Sequence, residues 1–352
     1  MTSKERFSRM FEHREADRVP IIDGPWEGTL LRWRREGMPI GVDWRDYFEV
    51  DKSESINVDI SPQYEEKVLE ETDKYKITTT CWGITLKNFK VADSTPEFLD
   101  YRVNTPEAWE EAKKRMVVSR DRIPWAYLKD NYPKWVAEGR WINAVFWFGF
   151  DVAHSWMSGT ETILVAMLED PEWFKDIVNT FLDRSIDMYN ILWDEGYRFD
   201  SIFWYDDMGY KGRTFFSNDV YAELLMPAHK RAIDWAHNHG IKAHLHSCGN
   251  VMTRIPQLAG IGLDALNPIE IKAGMDLTGL KQKYGDKLVL HGGADATKLD
   301  KPEEILPYIK STLPVVKQDG GYIFSSDHSI PNTVSLDTYR QIVAAVKEYG
   351  SY

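Results

Sequence analysis

Cysteine is almost absent from this chain. Cys81 and Cys248 are the only two in 352 residues, so at most one bridge can form and a disulfide-framed fold is excluded. Long apolar runs are missing too: no stretch approaches the roughly 18 uncharged apolar residues of a membrane-spanning helix. The start, MTSKERFSRM, lacks the apolar core of a signal peptide, and the expected location is the cytoplasm. Positive charge is in deficit, with 43 Lys and Arg against 55 Asp and Glu and a formal net charge of -12. That balance disfavours nucleic acid, whose phosphates need a basic face, and gives no sign of membrane-surface binding. There is no glycine-rich G-x-G-x-x-G loop to argue for a dinucleotide fold, no internal repeat and no low-complexity linker.

What is present is a repeated alternation. Short apolar runs are followed by longer amphipathic segments, the pattern of β-α units around a parallel sheet. The runs 19–22, 144–148, 201–205, 242–246, 265–267, 288–291 and 322–325 read as seven strands, with an eighth hidden before residue 140. Seven or eight favour a closed TIM-like (β/α)8 barrel over an open sheet. The expected organisation is therefore one α/β domain spanning 1–352. Helices are expected over 171–194, 217–239, 303–318 and 335–349, with Pro307 and Pro314 placed to break the third. Residues 25–140 are less regular and read as an insertion capping the barrel mouth, with a hairpin over 75–89 around Trp82-Gly83. Aromatics make up 13% of the chain, including 14 Trp, and many fall near strand ends, which suits a flat or apolar ligand as well as ordinary packing.

Polar residues collect where each strand ends, the rim at which a barrel keeps its active site. The run 201–205 leads into Asp206-Asp207, and 242–246 into His246-Ser247-Cys248. Then come Asn267 and Glu270, His291-Gly292-Gly293, and Ser325-Ser326-Asp327-His328. His246 and Cys248 are two residues apart, so in an extended chain they point the same way and can converge on one ion. Thiolate with imidazole suits zinc. Taken alone, such a pair is more often a buried cysteine and a satisfied core histidine. His244, one pair deeper, is expected in the barrel core.

These motifs carry a resemblance. Asp17-Arg18-Val19-Pro20, the helix opening Ser217-Asn218-Asp219 and containing Met226-Pro227, and the stretch Ala243 to Asn250 resemble the uroporphyrinogen decarboxylase superfamily. So do Asn267-Pro268, Ala273-Gly274-Met275-Asp276, Tyr284-Gly285, His291-Gly292-Gly293 and Ser325 to Pro331. The resemblance is dense after residue 195, thin between 25 and 140, and implies a TIM-like barrel. It also implies one of two chemistries: metal-free decarboxylation of a tetrapyrrole, or zinc-dependent methyl transfer to or from a corrinoid. Decarboxylases of this kind place arginines just after the first strand, where this chain reads Asp23-Gly24-Pro25-Trp26-Glu27-Gly28-Thr29. An acid and a Trp there would repel a polycarboxylate.

The methyltransferases resemble the chain at His246-x-Cys248, their first two zinc ligands. Their third ligand is a cysteine in the loop after the last strand, where this chain has His328 before Ser329-Ile330-Pro331. Imidazole also binds zinc, so His246, Cys248 and His328 form a sound three-ligand set with one open position. Decarboxylases have a histidine at the same place that contacts substrate, so both roles are open at His328.

The function this implies is methyl transfer from an O-methylated, aromatic small molecule to the cobalt of a corrinoid. Zinc would draw charge from the ether oxygen as the methyl group leaves. Trp26, Trp82, Trp147 and Trp204 are expected to wall the substrate, with His291 lining the pocket. Asp206 is expected to donate a proton with His246 beside it, and Asp207 to position a polar substituent; for both aspartates a purely structural anchoring role is the alternative. Glu270 is expected either to orient the metal shell or to sit in solvent. No segment resembles a corrinoid-binding domain and its Asp-x-His-x-x-Gly pattern is absent, so the corrinoid is expected on a partner protein. A metal-free lyase of the same fold and a non-catalytic tetrapyrrole- or corrinoid-binding protein are the rival readings.

Overall fold

A computed structural model describes residues 1–90 and 95–352. Seven parallel strands form one curled sheet: β1 (Ser53–Ile56), β2 (Trp141–Phe146), β3 (Ser201–Tyr205), β4 (Lys242–His246), β5 (Ala265–Ile269), β6 (Val289–Gly292) and β7 (Tyr322–Ile323). They lie side by side in chain order, the arrangement of a TIM-type fold in which each crossover returns to the next position. All six residues of β2 are buried, because a parallel sheet covered by helices has no wet face and selects an unbroken run such as Trp-Ile-Asn-Ala-Val-Phe.

The segment 19–22, expected as a strand, forms only an isolated parallel bridge, Ile21 to Phe324. Pro20 and Pro25 have no amide to give to a ladder. It nevertheless touches both sheet edges. Ile22 N donates to Phe324 O at 3.0 Å, and Asp51 N, just before β1, donates to Ile21 O at 3.1 Å. Asp51, 2% exposed, also accepts from Ile21 N at 2.9 Å and from Arg6 and Arg18 at 2.6 Å each. Two guanidinium groups and an amide satisfy a carboxylate that would otherwise be costly to bury. The strand hidden before residue 140 is β1, so the range 25–140 is not one continuous insertion: a strand of the main sheet lies inside it.

The expected hairpin is present, with Tyr75–Thr79 and Ile84–Phe89 antiparallel and Gly83 at φ 86°. It belongs to a four-stranded antiparallel sheet completed by Val68–Glu71 and Glu97–Tyr101. The helix expected over 217–239 is two helices, Asn218–Leu224 and Met226–Asn238. Ser217 caps the first by accepting from Val220 N, and Pro227, which cannot donate back into the preceding turn, starts the second. Pro307 and Pro314, in contrast, lie inside one helix, Pro302–Val316. The neighbouring packing of Ile305, Ile309 and Leu313 in the core outweighs two lost backbone bonds.

The helix Ser3–Phe11 covers the amino ends of the strands. Phe7 and Phe11 stack on Trp141 at 5.3 and 5.1 Å between ring centroids, in a cluster with Ala265, Val289 and Ile323. Among the described residues no helix is long and apolar enough to cross a membrane.

Candidate metal centre

The sheet register sets the site. Tyr205, His246 and Asn267 are neighbours across β3, β4 and β5, and in adjacent parallel strands such partners share a face. Their side chains line a cavity of about 480 Å³, whose wall also includes Trp26, Asp207, Cys248, His291 and His328. Within it the Cys248 Sγ lies 3.3 Å from His246 Nε2, and Asp207 Oδ1 lies 3.7 Å from the same nitrogen. One donor atom from each of Asp207, His246 and Cys248 falls within 4.8 Å of the other two. A carboxylate, an imidazole and a thiol held this close match the donor set of an open zinc site, with a position left for a ligand.

The protein around these donors fixes their aim. Asn267 Oδ1 is 2.6 Å from His246 Nδ1; an oxygen there requires a proton on Nδ1, which leaves the lone pair on Nε2, the nitrogen facing Cys248. Asp207 Oδ1 accepts from Cys248 N at 2.7 Å, and Glu270 accepts from Gly249 N. Glu270 thus orients the loop and is 9% exposed, which excludes the solvated role. Burial, then the Asp207 and Glu270 carboxylates, push the Cys248 thiol well above its ordinary range, so in the absence of a cation it keeps its proton. Asn267→Ala is expected to weaken zinc binding about 10- to 100-fold, measured by competition with a chromophoric chelator. Unchanged affinity would show that Asn267 does not hold the tautomer.

Several expectations change place. Asp207, expected to position substrate, is the third donor of the group. His328 lies in the same cavity wall but outside that group: its ring is 6.1 Å from that of Trp26, and its loop is tied down by Ser326, which donates to Asp23. Asp206 is fully buried and turned away from the cavity. It accepts from Asp151 N at 2.8 Å and pairs with His229 Nε2 at 2.7 Å, with Tyr221 on the far side of the imidazole at 3.0 Å. It is an anchor, not a proton donor. Asp206→Ala would strand the His229 ring and an amide in the core, with an expected loss of about 3–5 kcal/mol in denaturant unfolding.

Trp204 is likewise turned outward. Phe203 and Tyr205 take the inner face, so period-two alternation sends Trp204 under the helix Met226–Asn238. There it is 0% exposed and packs 5.6 Å from His229 and 5.7 Å from Phe148. Trp82 packs on Trp147 and Phe181 and is not in the cavity wall, whereas Trp147 lines an adjoining cavity. His291 and His244 lie in the wall, their facing nitrogens 3.3 Å apart. Burial holds both neutral, with His291 pushed down to about 3, and His291 Nε2 has no hydrogen-bond partner among the described residues.

Asp151 was not legible as a site residue. It follows β2 in the run Phe148-Gly149-Phe150-Asp151, where an acid among aromatics was the available signal. Burial, then the Asp207 and Asp206 carboxylates, push it up to about 8, so at neutral pH it is an uncharged acid.

Comparison with known proteins follows the geometry. A family model described as uroporphyrinogen decarboxylase (URO-D) matches residues 148–349. Among solved structures, a methyltransferase from Methanosarcina mazei aligns over 99% of both chains with a TM-score of 0.68 at 15% identity. A B12-independent methionine synthase from Shewanella sp. W3-18-1, in complex with selenomethionine, covers 96% of this chain and 93% of its own with a TM-score of 0.41 at 12% identity. The first likeness concerns the fold. No curated protein matches the chain.

Proposed function

The chain belongs to the uroporphyrinogen decarboxylase family, and on that premise we propose that it is a zinc-dependent methyltransferase taking a methyl group from an O-methylated small molecule. The acceptor in this reading is the cobalt of a corrinoid carried by a partner protein. The observation that carries the proposal is the convergence of Asp207, His246 and Cys248 at one point of a cavity. The decarboxylase alternative needs a cationic cradle for a polycarboxylate, and the described residues that line this cavity include no Lys or Arg.

His246, Cys248 and Asp207 would hold the zinc. When bound, the ion would supply Lewis acidity at the ether oxygen, the atom whose charge rises as the methyl group departs. Asn267 keeps His246 in the tautomer that presents Nε2, and Glu270 holds the Gly249 amide so that the Cys248 loop keeps its shape. Cys248 must release its proton for the site to fill, so metal uptake is expected to strengthen with rising pH. Trp26 and Tyr205 stand in the cavity wall beside the centre, and His291 packs against His244 in the same wall. We further propose that segment 19–22 completes the barrel as its eighth stave and that the residues around the antiparallel sheet cap the mouth.

The test uses protein purified without chelators or a histidine tag. Near-stoichiometric zinc, with methylcobalamin formed from cob(I)alamin and a methyl ether, is the expected result, followed by absorbance. Protein that contains no zinc after supplementation and transfers no methyl group from any of a panel of ethers, alcohols and amines would sink the reading.

A further inference from the structure

A second cavity of about 510 Å³ adjoins the metal centre. It shares Ser55, Thr95, Tyr205 and Asp207 with the first, so the two are compartments of one space meeting beside a metal donor. Four aromatic rings stand in its walls. Trp147 stands 6.0 Å from Trp156 and 6.4 Å from Tyr205, and Trp156 stands 6.3 Å from Phe98. Three of these rings come from the ends of β2 and β3 and the turn after them, and the fourth from the antiparallel sheet.

The charges of the joined space are of one sign. Asp23, Asp207 and Asp327 line the first compartment, the second adds only the uncharged acid Asp151, and no Lys or Arg is among the described residues lining either. The imidazoles of His244 and His291 are turned on each other, their facing nitrogens 3.3 Å apart. Lys272 opens onto a neighbouring cleft and lies 3.7 Å from both Glu270 and Asp327. With the charge of the proposed zinc matched by Asp207 and the Cys248 thiolate, an anionic group entering this space would leave water and meet the remaining carboxylates with no Lys or Arg beside it. An uncharged ring would replace water against aromatic faces and edges.

We propose that the compartment bounded by Phe98, Trp147, Trp156 and Tyr205 receives the aromatic ring of the methyl donor, and that the donor bears no acidic substituent. This rests on the methyl-transfer reading above and narrows its substrate class. The ring sits in the aromatic compartment and the methoxy oxygen reaches the Asp207 side of the metal centre.

Calorimetric binding to the full-length, zinc-supplemented protein separates this inference from the reading beneath it. Three probes suffice: 2-methoxyphenol, 4-methoxybenzoate and methanol. The expected result is that 2-methoxyphenol binds at least about tenfold more tightly than 4-methoxybenzoate. Trp156→Ala should weaken 2-methoxyphenol about tenfold or more without changing zinc content or methanol binding. A gain of binding guards against a variant that merely misfolds: Phe98→Arg, at a half-buried position, should reverse the preference and admit the benzoate. Equal binding of the phenol and the benzoate, no binding of 2-methoxyphenol, or an unaltered preference in Phe98→Arg would overturn the proposal. Selective binding of 2-methoxyphenol without methyl transfer to cob(I)alamin would support the compartment while sinking the methyl-transfer reading.

Discussion

Cys248→Ser is expected to leave the protein folded, deplete its zinc and lower methyl transfer by about three orders of magnitude, equivalent to about 4 kcal/mol of transition-state stabilisation. The substitution keeps the volume of the side chain nearly constant and leaves the Cys248 amide to bond Asp207, so the local backbone has no reason to move. What it removes is the soft donor 3.3 Å from His246 Nε2. A serine hydroxyl is a poor substitute, because it holds its proton far more tightly than a thiol and zinc prefers sulfur and imidazole. The measurement pairs elemental analysis with the rate of methylcobalamin formation, and circular dichroism reports the fold. Turnover that persists undiminished in a zinc-free Cys248→Ser protein would defeat the proposed chemistry.

Gly249→Ala is expected to be nearly as severe, although the residue offers no side chain to the site. Its φ is +84°, and a Cβ there would lie 2.1 Å from the Gly209 carbonyl carbon. The reciprocal Cβ on Gly209 would meet the Cys248 oxygen at 2.8 Å. The loop bearing Asp207 and the loop bearing Cys248 therefore run backbone against backbone, and only glycine permits the approach. Adding a methyl group forces them apart by about 1 Å, a displacement sufficient to cost about 100-fold in rate, on top of about 1–3 kcal/mol of backbone strain. Gly196→Ala is the control. Gly196 has φ +91° with nothing within 4 Å of its Cβ position, so it carries the strain without the clash. Equal loss of activity and zinc in both variants would show that close loop approach is not what Gly249 provides.

Much of the architecture could be read from the chain because parallel strands buried on both faces write themselves as short apolar runs. Residues 201–205 and 242–246 are strands to the residue. The segment around Ile21 was misread because its apolar character suits a strand while its prolines forbid a ladder. At the site, His246 and Cys248 were legible from a two-residue spacing on one element. The third donor was not, since choosing between Asp206, Asp207 and His328 depends on how two loops turn after their strands. Asp206 turns away from the cavity because His229 and the Asp151 amide await it, partners 23 and 55 residues away in sequence. Trp204 was misplaced for a simpler reason: strand-end aromatics alternate faces, and composition near a strand end does not reveal which face.

The floor of the cavity has an implication for how the protein is made. Phe7 lines it, while Ile21 bridges Phe324 and Pro25 bridges Ile330. The segment around Ile21 and Pro25 must therefore wait for partners about 300 positions later in the chain. Until those partners are made, that segment lacks its bridges to the far sheet edge, whereas the aromatic face of the first helix can already rest on Trp141. The cavity can be completed only once residues 324–330 are present, and a chain halted before residue 324 would lack the bridges that join the two sheet edges across it.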